Sequence, residues 1–518
     1  MRLDDWFLSP EQRGNTSTQI DSRPGDRVAW TTGNVVRPLV HGATYFADLL
    51  AAVRRLNPGD HLFFTDWRGD PDERLAGPGT QVGRVFADAA ARGVVVRGLL
   101  WRSHSDMLRY HQRENRTLGE QVQAAGGECL LDMRVRPGGS HHQKLVVLRY
   151  QGRPELDVAY VGGIDLCHGR RDDHTHHGDD QPCPLGSAYG SRPAWHDVQI
   201  AVSGPAVADV ERTFRERWED STPPTGSPYR RWRDRILRPN GPADCPPPLP
   251  PPAPVGTDAV QVLRTFPYRR HGYDFAPGGE RSIARAHLKA LTRARHLIYL
   301  EDQYIWSPQV VRAFADVLRV RPGLRLIAVL PHHPDRDAAA YNAPQLYARA
   351  EVLRILRGAG GDRVAFYGIE NLAGTPVYVH AKVTIIDDVW CTVGSDNLNL
   401  RSWTHDSEIS CAVLPDGRGV PLARSLRLEL CREHLELPHG DDGDLLDAAE
   451  VFRAFATSAN ALQAWHDGGR ATVRPPGRLR PYALPRQSVL TRSWAGPAYR
   501  RFYDPDGRPA SLRRAGSF

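Results

Sequence analysis

Two stretches of this chain carry the same unit, and that duplication leaves few ways to fold it. One copy, residues 376–410, reads PVYVHAKVTIIDDVWCTVGSDNLNLRSWTHDSEIS. It sets His380, Lys382 and Asp387 in the pattern H-x-K-x-x-x-x-D, then the turn Gly394-Ser395-Asp396-Asn397, then the acids Asp406 and Glu408. The other copy, residues 138–170, reads GGSHHQKLVVLRYQGRPELDVAYVGGIDLCHGR. It holds His142 and Lys144 at the same spacing and the turn Gly162-Gly163-Ile164-Asp165 after the next strand. Residues 377–379 and 383–386 are short, apolar and β-branched, which reads as buried strand. Side chains alternate along a strand, so the imidazole and the ammonium of each pair share a face. An ammonium is a compact point charge with three donors, and an imidazole can attack phosphorus or carry a proton near neutral pH. Together they suit a phosphate.

The repeat extends around these units. Tyr45, Phe46, Leu49, Leu50, Val53 and Leu56 fall at helical spacing, and HLFFTDW follows as a buried strand. A helix over 81–91 and the strand VVVRGLLW come next. The second half repeats the order with a helix over 283–293, HLIYLEDQYIW, a helix from Gln309 and LRLIAVLP. The helices share letters: Gln81-Val82-x-Arg84-x-Phe86-Ala87-Asp88 against Gln309-Val310-x-Arg312-x-Phe314-Ala315-Asp316. Such alternation predicts an α/β protein of two similar α-β-α sandwich halves, with mostly parallel mixed sheets. A pseudo-two-fold axis should relate them. The expected organisation is a loose lead-in over 1–30, a first half over 31–243, and an extended Pro-rich linker over 244–256. A second half over 257–436 and a C-terminal extension over 437–518, with one helix over 447–465, complete it.

Lysine usage sharpens the reading. The chain holds three lysines among its 67 basic residues, and Lys144, Lys289 and Lys382 each follow a histidine by two places. Chance would put two of three there about once in 200 tries, from composition alone. His287 and Lys289 lie in a helical pattern, where residues two apart face different ways, so that pair reads as coincidence. A chain that otherwise uses arginine keeps a compact ammonium at Lys144 and Lys382.

These blocks carry a family resemblance. YVHAK, VGSDNLNLRS, GGIDLCHGR, AWHDVQIAVSGPAV and YLEDQYIW resemble sequence blocks of the phospholipase D superfamily, in particular its eukaryotic-type branch, across residues 30–435. Cleaving a phosphodiester needs a nucleophile, a proton for the leaving oxygen and cations around the transition state. Two H-x-K units facing one cleft would supply all three, with Lys144 and Lys382 on the non-bridging oxygens. The resemblance implies a phosphohistidine intermediate, with His142 as nucleophile and His380 as general acid. The residues themselves do not distinguish the two. Asp197 and Glu408 follow each unit at corresponding places and are read as the carboxylates that orient the histidines, of their own half or the opposite one. Asp165, Ser395 and Asn397 are assigned to substrate binding from the turns. Asp387 is read as a structural anchor; the first unit has Arg149 in its place. The run HGRRDDHTHHGDDQPC, with His174, His176 and His177, matches no standard zinc spacing and is read as a polar loop at the cleft mouth. Neither metal nor cofactor is expected.

The expected function is a phospholipase D that hydrolyses or transfers glycerophospholipids such as phosphatidylcholine to yield phosphatidic acid. The alternatives are a cardiolipin-synthase-like phosphatidyltransferase, a nucleic-acid phosphodiesterase and an inactive lipid-binding scaffold. Trp101, Arg102, Trp195, Trp232 and Trp403 could face acyl chains or bases; intact H-x-K pairs argue against a scaffold. A net charge of +7 suits anionic partners, of which a phospholipid surface is preferred over nucleic acid. The seven scattered cysteines and the acidic N-terminal stretch predict a cytoplasmic monomer that meets membranes peripherally.

Overall fold

In the computed structural model, which describes residues 2–22, 28–103, 112–237, 243–417, 419–438, 440–483 and 487–518, the β-α-β alternation runs twice. The lead-in comes first. A capping box closes α1 (Pro10–Arg13): Ser9 accepts from the Gln12 N–H and Gln12 accepts from the Ser9 N–H. Trp6, Phe7 and Leu8 are buried in the core of the second half. Arg13 is fully buried, 2.7 Å from Asp21 and 3.0 Å from Glu280. The segment expected to be loose is therefore packed, apart from residues 1 and 23–27, which lie outside the described residues. Three consecutive large apolar side chains and one caged guanidinium hold it down.

The first half comprises β1 (Thr31–Val40), α2 (Gly42–Arg54), β2 (His61–Asp66), α3 (Val82–Ala91), β3 (Val95–Trp101), α4 (Gln112–Ala124) and β4 (Glu128–Asp132). It continues through β5 (Leu145–Arg149), β6 (Val158–Gly162), β7 (Ala194–His196), β8 (Val198–Ser203), α5 (Ala206–Trp218) and α6 (Pro228–Leu237). Strands β2, β3 and β4 are parallel, joined through α3 and α4. On the other side β5, β6, β8 and β1 add antiparallel.

The second half follows the same plan. Its elements are β9 (Asp258–Phe266), β10 (Glu280–Arg281), α7 (Ser282–Leu291), β11 (Leu297–Asp302), α8 (Pro308–Val320), β12 (Arg325–Val329), α9 (Ala339–Gly360) and β13 (Val364–Glu370). Then come β14 (Pro376–Val379), β15 (Lys382–Ile386), β16 (Trp390–Gly394), α10 (Leu400–Thr404), β17 (Glu408–Pro415) and α11 (Leu422–Leu435). Strands β11, β12 and β13 are parallel, and β15, β16, β17 and β9 add antiparallel. The sheets are thus mixed, with the parallel part confined to the helix crossovers. Registers match between halves: Phe63 faces Val147 as Tyr299 faces Ile385.

Helices α2, α3 and α4 cover the outer face of the first sheet, and α7, α8 and α9 that of the second. The inner faces share one core with α5 and α11. The sheets also join edge to edge. Strand β1 pairs with β9, and β7 runs parallel to β14 with Tyr378 opposite Trp195 and Val379 opposite His196. The matching contact on the other side is a bridge between His141 and Ser407. Arginines grip the Pro-rich linker: Arg97, Arg215 and Arg149 donate to the carbonyls of Asp244, Pro246 and Pro250. Beyond it α12 (Ala448–Asp467) packs on the body, β18 (Leu479–Pro481) adds to β13, and α13 (Val489–Ala498) lies against α9.

Candidate active site

The site forms where β7 meets β14 and where the residues ahead of β5 meet β17. The His142 N–H donates to the Ser407 carbonyl at 2.9 Å, and the His380 N–H donates to the His196 carbonyl at 2.7 Å. These bonds are equivalents under the pseudo-two-fold. They place each histidine beside the acid that follows its partner carbonyl. His142 Nδ1 is hydrogen-bonded to Glu408 Oε2 at 2.9 Å, and His380 Nδ1 to Asp197 Oδ2 at 2.6 Å. Each imidazole is therefore oriented by a carboxylate of the opposite half. With Nδ1 engaged, Nε2 is the nitrogen left for chemistry.

The lysines sit behind the rings. Lys144 Nζ donates to the His142 carbonyl at 3.1 Å and pairs with Asp165 at 3.2 Å. Lys382 Nζ donates to the His380 carbonyl and to Gln303 at 3.2 Å. Burial lowers the Lys382 ammonium to about 8; Lys144 pushes the same way, against Asp197 and Asp302. Burial also holds both imidazoles well below their usual range, helped by Lys144 and Lys382 at His142 and by Lys382, Arg170 and Lys144 at His380. Each histidine thus feels the lysine of the other half as well as its own. Burial pushes Glu408 up to about 8, with Asp406 adding to it and Ser395 opposing, and burial raises Asp197.

Asp66 and Asp302, at the ends of β2 and β11, form a pair that sequence reading missed. Asp66 accepts from the Leu166 N–H and Asp302 from the Leu398 N–H, both at 2.8 Å, which fixes each turn. The signal was present: both acids close the matching strands HLFFTD and LIYLED. In the first half Asp66 and Asp165 share a hydrogen bond. Burial and Asp165 hold Asp66 well above the carboxylate range, whereas Lys144, Asp66 and Arg170 keep Asp165 low against burial. Asn397, at the matching place in the second half, is neutral and lines the cavity.

Several expectations need correcting. Ser395 is buried with its hydroxyl donating to Glu408 Oε2 at 2.5 Å and accepting from the Ile409 N–H, so it positions the acid and does not face substrate. Its counterpart Gly163 has no room for a side chain, because a Cβ there would lie 2.2 Å from Asp197 Oδ1. Trp403 is in the core against His287 and Phe518, and Trp232 is exposed on α6. Trp195 packs on the His380 ring at 4.8 Å between centroids, and the Arg170 guanidinium carbon lies 3.7 Å from the centroid of the Trp195 ring. Arg102 pairs with Asp234. The histidine-rich run does not line the cavity: His176 turns inward and is fully buried against Glu433 of α11.

Asp387 accepts from the N–H groups of Arg295, His296 and Leu297 at 2.7–2.8 Å and so ties the loop ahead of β11. In the first half Asp60 takes over, accepting from the Asn57 and Gln151 N–H groups at 2.7 Å. Arg149 is free to pair with Asp157 and Glu211 and to hold the linker.

A cavity of about 510 Å³ opens over these groups. His142, Glu408, Asn397, Asn399 and Arg401 line its floor, and Trp67, Trp101, Tyr304, Trp306, Tyr341 and Phe502 line its walls. The phospholipase D family model matches residues 71–228, and the model described as cardiolipin synthase, PLD-like domain, matches residues 288–417. The two cover more than half of the chain, one on each half. The chain belongs to the phospholipase D superfamily. Phospholipase D alpha 1 of Vigna unguiculata is 25% identical over 579 aligned residues, which cover 83% of this chain and 70% of that protein. Phospholipase D1 of Saccharomyces cerevisiae is 25% identical over 537, covering 81% and 30%, and phospholipase D A of Dictyostelium discoideum is 27% identical over 375, covering 58% and 27%. The chain thus spans between about a quarter and seven-tenths of these curated relatives. In fold it is similar to phosphatidylserine synthase of Haemophilus influenzae, with a TM-score of 0.52 at 13% identity, over 82% of this chain and 93% of that one.

Proposed function

We propose that this chain is a phospholipase D-type phosphodiesterase acting on glycerophospholipids by two displacements at phosphorus. The reading rests on the crossed pairs, His142 with Glu408 and His380 with Asp197, and on the field of both Lys144 and Lys382 at each histidine. His142 Nε2 attacks phosphorus, an N–P bond forms and the P–O bond to the headgroup breaks. His380 gives its proton to the leaving alkoxide. It then takes a proton from water or an alcohol, whose oxygen attacks phosphorus and frees His142. Lys144, Lys382 and Asn397 meet the non-bridging oxygens as charge builds on them. His142 is favoured as nucleophile because it lines the cavity, with 15% of its side chain exposed against 7% for His380.

The substrate class is supported by the cavity walls. Stacked pairs Trp67–Trp101 and Tyr304–Trp306 flank a floor that carries His142, Asn397 and Arg401. Aromatic walls suit acyl or quaternary ammonium groups. No described helix is long and apolar enough to cross a membrane, and the reading is of an enzyme that meets lipid at a surface. A phosphatidyltransferase, as the names of the cardiolipin synthase-like match and the phosphatidylserine synthase neighbour suggest, is the second reading. Short-chain phosphatidylcholine with and without ethanol tests both. Choline release with phosphatidylethanol formation supports the first. Transfer to glycerol or serine with no hydrolysis supports the second, and cleavage of oligonucleotides alone would discard both.

A further inference from the structure

Behind the Asp197 carboxylate lies a cluster the proposed chemistry leaves idle. His41 follows β1, His176 comes from the histidine-rich run, His196 ends β7, and Glu433 reaches in from α11 of the other half. All three imidazoles are buried. One nitrogen of each points at the same carboxylate: His41 Nε2 at 2.7 Å, His176 Nε2 at 3.0 Å and His196 Nδ1 at 3.5 Å. The four ligand atoms lie within 4.8 Å of one another. Tetrahedral zinc, with bonds of about 2.0–2.1 Å, sets its ligands about 3.4 Å apart, in the middle of that spread.

The far side of the rings carries a second pattern. Metal-bound histidines commonly give their other N–H to a carboxylate, which fixes the tautomer. His196 Nε2 meets Glu301 at 2.5 Å, and His176 Nδ1 lies 3.5 Å from Asp172. Glu301 is itself held by Tyr299 at 2.6 Å and His434 at 2.7 Å. His196 Nδ1, buried and aimed at the centre of the cluster, has no hydrogen-bond partner there. His41 adopts φ 68° and ψ 166°, a backbone region nearly reserved for glycine, to bring its ring in.

We propose that His41, His176, His196 and Glu433 form a closed zinc-type site that clamps the two halves together behind Asp197. The donor set, three imidazoles and one carboxylate, suits Zn²⁺ and leaves no position for substrate. The clamp bears on the reaction at one remove. His196 precedes Asp197, and the His41 N–H donates to the Asp197 carbonyl at 3.3 Å, so the metal positions the acid that orients His380.

The test uses the full chain without lipid, so it stands whether or not the phospholipase reading holds. Purified protein equilibrated with Zn²⁺ and desalted should retain one zinc per chain by elemental analysis. Cobalt(II) in its place should give the intense visible bands of a tetrahedral site. His176→Ala and Glu433→Gln should lose the metal and the bands, whereas His174→Ala, at an exposed position of the same run, should keep both. No retained zinc and no tetrahedral cobalt spectrum in the wild-type chain would overturn the proposal, and would mean that protonated imidazoles balance the carboxylates. Undiminished zinc in a folded His176→Ala or Glu433→Gln protein would overturn it too. If those variants fail to fold, the wild-type cobalt spectrum alone decides.

Discussion

In the proposed reaction Glu408 has two duties at residue scale: it fixes the tautomer of His142 and retains a proton that His142 must shed before it attacks. Glu408→Gln keeps the shape and loses the charge, so kcat/KM should fall by about 10²–10⁴-fold with the fold intact by circular dichroism. The pH profile carries the sign. Glu408 is raised to about 8 while His142 is held neutral, so below about 8 the pair keeps an extra proton and Nε2 lacks a free lone pair. kcat/KM should rise with pH towards about 8 and fall above it, as the Lys382 ammonium, itself lowered to about 8, loses its proton. Ser395→Ala removes the donor that stabilises the Glu408 carboxylate, so its rising limb should move to higher pH. An unchanged limb in Glu408→Gln would reject this assignment.

The motif aspartate and its replacement act at the scale of strands and turns. Asp387→Ala should cost about 1–3 kcal/mol by urea denaturation, as three N–H groups leading into β11 lose their acceptor, with turnover per folded molecule unchanged. Restoring symmetry should do harm. Arg149→Asp would bury a third carboxylate beside Asp157 and Glu211 with Arg215, already paired with Glu211, as the cation left there, destabilising the chain by about 3–5 kcal/mol or preventing folding. The strands and helices were legible because they rest on local pattern: HLFFTD and LIYLED are apolar runs closed by an acid, and the helix over 448–467 shows its face in Val451, Phe455, Ala459 and Leu462. The paired histidines were legible from spacing. What stayed hidden depends on contacts far along the chain, such as the crossing of Glu408 to His142 and the gathering of His41, His176 and Glu433, or on side-chain direction, such as the turning of Ser395 towards Glu408. No local period encodes those.

For the whole molecule, the linker should be dispensable once folding is complete. Strand pairing between β1 and β9 and between β7 and β14 joins the halves, and arginines grip the linker carbonyls on both sides of any cut. A chain with a protease site inserted near residue 248 should, after cleavage, elute as one species by size exclusion and keep its turnover. Fragments that separate would show that covalent continuity holds the assembly. The crossed acids carry one more consequence. Were the two repeats separate copies of one polypeptide, every substitution would appear on both sides of the axis at once. Joined in a single gene product, each side can change alone. One has taken Gly163, Asp197 and a second acid at Asp165; the other has taken Ser395, Glu408 and the uncharged Asn397. In the proposed reaction each side can thus be tuned by itself, Glu408 beside His142 and Asp197 beside His380, whereas two identical copies would carry the same acid in both places.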